Sequence, residues 1–319
     1  MKTRHSWLVM LALVLLALPP AVAAETLDVL SLAFVDGPQG VGAPTPDKAI
    51  DDFTGPTAFT VDPDGNIYLL DAPRFCVKVF SPDGRPVRTV DYPAATVAGK
   101  PVLGIDLAVD ARGDLFVANA TEGLIWKFDG QGKLVAILGR QENGASLFEL
   151  LHRLAVDSQG GLLAGEGMTT KVIRLSPDGR KTAVLPEPFY PPVVGPGDEL
   201  VMVKTGASPN RADVKLCSAD QKTVRHLATI EMEKPLLNAA PVGYDARGHL
   251  YLFVVVGEFG DNYEAAYVLE LDGEGKTCRR VQLPESPGIG MNRYLGVTPD
   301  GRILKADADD KTFRIVEYR

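Results

Sequence analysis

Histidine and cysteine are scarce in this 319-residue chain, with four and three copies, and their placing excludes several kinds of chemistry. No Cys-x-x-Cys pair occurs, so neither a structural zinc site nor a dithiol redox centre is supported. The cysteines Cys76, Cys217 and Cys278 are odd in number, so at least one is unpaired within the chain. Cys217 and Cys278 fall beside equivalent turns of consecutive repeats described below, a placing that allows a disulfide between them. Cys76 sits in an apolar strand and reads as a small buried hydrophobe. A Gly-rich phosphate loop, a Gly-x-Ser-x-Gly elbow and a His-Glu-x-x-His helix are all missing. Helical periodicity is missing too, apart from the N-terminal segment and a weak trace near Leu147–Leu151. Basic residues form no stripe with interleaved aromatics, and the formal charge is −8. An acidic surface repels phosphate backbones, so nucleic acid is not expected as a partner.

What is present begins with an address. Lys2 and Arg4 precede an apolar run from Trp7 to Leu18, then Pro19-Pro20 and the small residues Ala21-Val22-Ala23-Ala24. This order predicts a secretory signal peptide over residues 1–24. Its apolar core is about 12 residues, well short of the roughly 20 that cross a bilayer, so no membrane span is expected after cleavage. Removing 24 of the 319 residues leaves 295, and loss of Lys2 and Arg4 takes the charge from −8 to −10. The mature chain is expected to be exported to the periplasm or the extracellular space.

A repeat runs through residues 25–319. The pattern Ala58-Phe59-Thr60-Val61-Asp62-Pro63-Asp64-Gly65-Asn66-Ile67-Tyr68-Leu69-Leu70-Asp71 returns around Gly113, Gly160, Gly248 and Gly301. The glycine intervals are 48, 47, 88 and 53 residues, so the long gap hides a degenerate copy, assigned to 192–230. Each unit places an apolar run before an Asp-x-x-Gly turn, where Gly accepts a positive φ. A second apolar strand follows, then a third, then another Gly turn such as Ser81-Pro82-Asp83-Gly84 and a fourth strand. Second strands such as Ile67-Tyr68-Leu69-Leu70 are apolar on both faces and must be covered on both. Four strands per roughly 48 residues, stacked face to face, predicts an all-β, six-bladed β-propeller of four-stranded antiparallel blades. The sixth unit stops at its third strand near Tyr318. The apolar run Thr26–Phe34 supplies the missing fourth, so pairing of the N- and C-terminal strands is predicted to close the ring.

The form Val-Asp-x-x-Gly-x-Ile-Tyr-x-x-Asp, followed by a strand such as Val77-Lys78-Val79-Phe80 and a Ser/Asp-x-Asp-Gly turn, resembles the NHL repeat. That resemblance covers nearly all of residues 25–319 and implies a propeller. Enzymes of similar architecture include amidating lyases with several central histidines, streptogramin lyases using His with Glu, and lactonases holding a divalent ion with carboxylate and Asn side chains. Only His152 of the three histidines beyond the signal is expected near the axis. His226 falls in an outer strand and His249 at the opposite face, so a three-histidine zinc site is not expected.

Polar residues closing the second strands, Asp71, Asn119, Glu166 and Asp307, are expected to cap the loops that follow them. Asp51, Asp52, Asp106, His152, Asn238 and Asn292 enter the innermost strands and are expected to meet at one mouth of the axial channel, with Arg153, Arg293 and Tyr190. The loops carrying Phe189 with Tyr190, and Phe259 with Tyr263, are expected partner contacts. With no catalytic constellation, the expected role is a binding or assembly module, without resident cofactor or metal. It would act through one face on a protein, a small molecule or a carbohydrate. The alternative is a metal-assisted lyase or lactonase-like hydrolase, with a divalent cation at the axial mouth.

Overall fold

The computed structural model describes residues 19, 22–23, 25–35, 40–42, 55–94, 96–97, 100–101, 103–185, 189–206, 208–258, 262–284 and 291–319. Each repeat unit folds as one blade, its strands running outward from a common axis. Blade one comprises Ala58–Val61, Ile67–Asp71, Cys76–Phe80 and Pro86–Asp91. Blade two comprises Gly104–Val109, Leu115–Asn119, Leu124–Phe128 and Leu134–Leu138. Blade three comprises Leu151–Val156, Leu162–Glu166, Val172–Leu175 and Lys181–Leu185. Blade five comprises Leu236–Tyr244, Leu250–Glu258, Asn262–Leu271 and Thr277–Leu283. The chain is thus a six-bladed β-propeller, as the repeat predicts.

The degenerate fourth unit has three full strands, Leu200–Thr205, Arg211–Cys217 and Val224–Glu231. Its innermost strand shrinks to Val193-Val194, where Val194 bridges Leu200 and the Val201 N–H donates to the Val193 carbonyl. Pro191 and Pro192 precede that stub, and neither can donate to a ladder.

Blade six closes the ring across the termini. Its strands Leu295–Val297, Ile303–Ala308 and Thr312–Tyr318 are completed by Thr26–Ala33, paired antiparallel from Thr26↔Tyr318 to Ala33↔Thr312. The expected signal segment lies largely outside the described residues. Within it, Val22–Ala23 run parallel to Val281–Gln282 at the outer edge of blade five. No helix among the described residues is long and apolar enough to cross a membrane.

The core is divided into six clusters, one at each blade interface. Alternation along the second strands explains this division. Tyr68 and Leu70 pack toward blade two, whereas Ile67 and Leu69 pack toward blade six. Leu115 and Val117 face blade one, while Phe116 and Ala118 face blade three.

Candidate functional site

The innermost strands surround an axial cavity of about 460 Å³. It runs from Arg153 to Val156 on one strand, from Asn238 to Tyr244 on another and from Asn292 to Val297 on a third. Five of the expected mouth residues are described at its wall or directly behind it: Asp106, Arg153, Asn238, Asn292 and Arg293. Arg153, Asn238, Asn292 and Arg293 line it, and Asp106 is fully buried behind the wall. Asp52, like Asp51, lies outside the described residues.

Asp106 and Arg293 form a buried ion pair here. Arg293 Nη2 stands 2.6 Å from Asp106 Oδ2 and also donates to the Leu154 carbonyl at 2.6 Å. The Leu154 N–H donates to the same carboxylate oxygen at 2.7 Å. Asn292 is likewise committed to the frame, its Nδ2 donating to the carbonyls of His152 at 2.6 Å and Ile105 at 3.2 Å. Its N–H donates to the Thr57 carbonyl at 2.7 Å, and the Thr57 hydroxyl reaches the Gly104 carbonyl at 2.9 Å. One segment of blade six therefore ties blades one, two and three together at the axis.

His152 does not itself line the cavity. Its Nδ1 lies 2.5 Å from the Tyr190 hydroxyl, with the rings stacked at 6.3 Å between centroids. Gly165 and Gly167 leave the space for this pair: a Cβ would meet the Tyr190 ring at 3.0 Å in one case and His152 Cγ at 3.1 Å in the other. Burial, and then the Arg153 charge, holds the imidazole below its ordinary value. Burial pushes the Tyr190 hydroxyl up, against the opposing pull of Arg153. In the neutral Nε2–H tautomer, the Tyr190 O–H donates to His152 Nδ1. Arg153 follows His152 on the same strand and lies close enough for its charge to act on both groups. Burial lowers the Arg153 affinity for its proton, and its Nε is buried with no hydrogen-bond partner.

The loop expectations need correction. Phe189 is buried against Leu163, Leu185 and Leu200, between blades three and four, so its ring is not offered to a partner. Tyr190 points inward to His152. Tyr263 is 39% exposed, as a contact residue requires; Phe259 lies outside the described residues. The disulfide allowed by the sequence is absent: Cys76 and Cys217 are buried thiols and Cys278 an exposed one. Cys217 packs into the interface of blades three and four, while Cys278 contacts Asp272 and Lys276 of its own turn. Burial pushes the Cys76 thiol up to about 12, which leaves it inert. His226 is exposed on the outer strand of blade four, as expected. Asn119 caps the loop that follows it by accepting the Glu122 N–H, whereas Asp71 and Glu166 accept from Gly42 and Glu149, which precede them in the chain, and Asp307 from its strand neighbour Ala308.

One cluster escaped the sequence. Asp245, His249 and Glu270 bring ligand-type atoms within 4.8 Å of one another at the far face. Arg247 already contacts both carboxylates, at 2.5 Å and 2.9 Å, and Arg279 Nε lies 3.0 Å from Glu270. Two cations balance two anions in this ion-pair network. Glu270 sits 25 positions from Asp245 on a different strand, so no local motif announces the meeting.

Fold and cavity together define a six-bladed propeller with an axial channel walled by apolar and charged side chains. No family model matches the chain, and no curated protein matches it. Among solved structures it is similar to hydrazine synthase from Kuenenia stuttgartiensis, with 14% identity over 82% of this chain and 79% of that one, at a TM-score of 0.54. It is also similar to a gluconolactonase candidate, at 15% identity, 95% of each chain and a TM-score of 0.52. Virginiamycin B lyase from Staphylococcus aureus gives 11% identity over 92% and 98% of the two chains, with a TM-score of 0.50. These likenesses are of fold.

Proposed function

We propose that the chain is an exported ligand-binding propeller whose ligand, a small molecule, sits in the axial channel. The observation that carries this reading is the cavity of about 460 Å³, bounded by innermost strands of the ring and walled by both apolar and charged side chains. That volume falls within the range of about 300–1,000 Å³ common to small-molecule sites. The outer loops support a partner-binding face less well, since Phe189 and Tyr190 turn inward. A metal-assisted lyase or lactonase would need carboxylates free to take a cation. Asp106 instead gives one oxygen to two donors and keeps the other buried.

A channel-filling substitution tests the reading. Ala240 lines the cavity and is half-buried, so Ala240→Phe is expected to abolish stabilisation by small-molecule ligands while leaving the unliganded melting temperature nearly unchanged. Ligands found in a thermal-shift panel that stabilise this variant as well as the parent would place binding elsewhere. Fractionation of cells expressing the full chain tests export, with mature protein beginning near Glu25 as the expected outcome.

A further inference from the structure

Resting on that channel reading, we infer that the ligand is an organic monocarboxylate, its carboxylate seated on the Arg153 guanidinium and its apolar body against the channel wall. Charge at the wall is the first argument. Arg153 and Arg293 both line the cavity, whereas the single described carboxylate beside them, Asp106, is spent on Arg293 and the Leu154 N–H. Among the described residues no carboxylate forms an ion pair with Arg153. Its Nε is buried without a partner, an arrangement that costs stability unless something supplies an acceptor. Among the described residues one positive charge is therefore in excess, which matches a monoanion and leaves a dianion half-neutralised.

Geometry is the second argument. A guanidinium offers a planar fork that meets a carboxylate through two parallel N–H donors, but only if the fork is held in place. Arg153 is carried on an inner strand next to His152, which is itself fixed by the Tyr190 hydroxyl. Such backing prepares the site before the ligand arrives, which lowers the ordering cost of binding. The remaining wall includes Phe59, Val61, Pro192, Phe253, Tyr294 and Leu295. These residues suit a hydrocarbon or ring rather than an inorganic anion.

The test uses the full-length protein and four probes, hexanoate, benzoate, hexan-1-ol and inorganic phosphate, read by calorimetric titration. Hexanoate and benzoate are expected to bind at least about tenfold more tightly than hexan-1-ol or phosphate, as a charge-assisted fork contact implies. Arg153→Gln should remove that preference and leave hexan-1-ol binding intact. Arg153→Lys, which keeps the charge without the fork, should fall between them, and the exposed Arg211→Gln should change nothing. If hexanoate binds no better than hexan-1-ol, or phosphate binds as well as hexanoate, the carboxylate inference fails while the channel reading stands. If none of the four binds, or if Ala240→Phe leaves their binding untouched, the channel reading itself fails. Should the Arg153 variants not fold, the probe ranking on the unsubstituted protein still decides.

Discussion

Single side chains fix the turns of this ring. Asp62, Asp110, Asp157 and Asp245 each accept two backbone N–H bonds from residues two and four positions on, which satisfies the donors of the tight turn. That device is local, so the sequence spells it out. His152 is different, since its chemistry depends on Tyr190 from 38 residues away and Arg153 beside it. The unfolded imidazole takes its proton near 6.5, and the folded one takes it at lower pH. The stability contributed by keeping His152 neutral is thus complete above about 6.5 and is lost as pH falls toward the depressed folded value. Melting temperatures measured from pH 7.5 to pH 5 should fall less in His152→Asn than in the parent; equal slopes would show that other groups dominate. Lys305 is also displaced from its ordinary value. It is 3% exposed, burial lowers its proton affinity, and its Nζ has no hydrogen-bond partner among the described residues. Lys305→Met, a near-isosteric apolar replacement, is expected to stabilise the fold by about 1–3 kcal/mol in chemical denaturation. A loss of stability would mean that the ammonium has a partner after all.

Among elements, the second Gly turn of blades one, two, three and five meets the outermost strand of the blade before it. Gly132 faces Val90, Gly179 faces Leu138, Gly275 faces the Leu227 carbonyl and Gly84 faces the Val29 carbonyl. The last contact joins blade one to the N-terminal strand of blade six, so the same joint recurs across the seam. Gly84→Ala would suffer twice, from a φ of +79° and from its Cβ running into the Val29 carbonyl. Gly144 has a φ of +83° but open space around it, so Gly144→Ala isolates the backbone cost, about 1 kcal/mol. Urea denaturation should show Gly84→Ala losing clearly more than Gly144→Ala, and equal losses would deny the joint. The turns themselves were readable from their glycines. Their docking partners were not, because those contacts join residues from neighbouring blades. Blade four shows the converse limit, where Pro191 and Pro192 cut an inner strand that periodicity alone would extend.

For the whole molecule, the repeat period and the short sixth unit made both the ring and its closure legible. Local turn chemistry and two-faced apolar strands leave few other ways to bury the chain. The axial wall was half legible. Entry positions of inner strands predicted Arg153, Asn238, Asn292 and Arg293, but not which of them serve the frame and which face the cavity. Asn292 turned out to stitch blades together, and Phe189 to fill an interface, outcomes decided by neighbours far along the chain. The paired ends have a temporal consequence as well. Thr26–Ala33 is synthesised long before Thr312–Tyr318, so the earlier strand waits without its partner while five blades are made. Loop closure over such a span is slow and the contact order high. Blade six is therefore the last blade that can be completed, and the ring stays open until both of its paired strands exist.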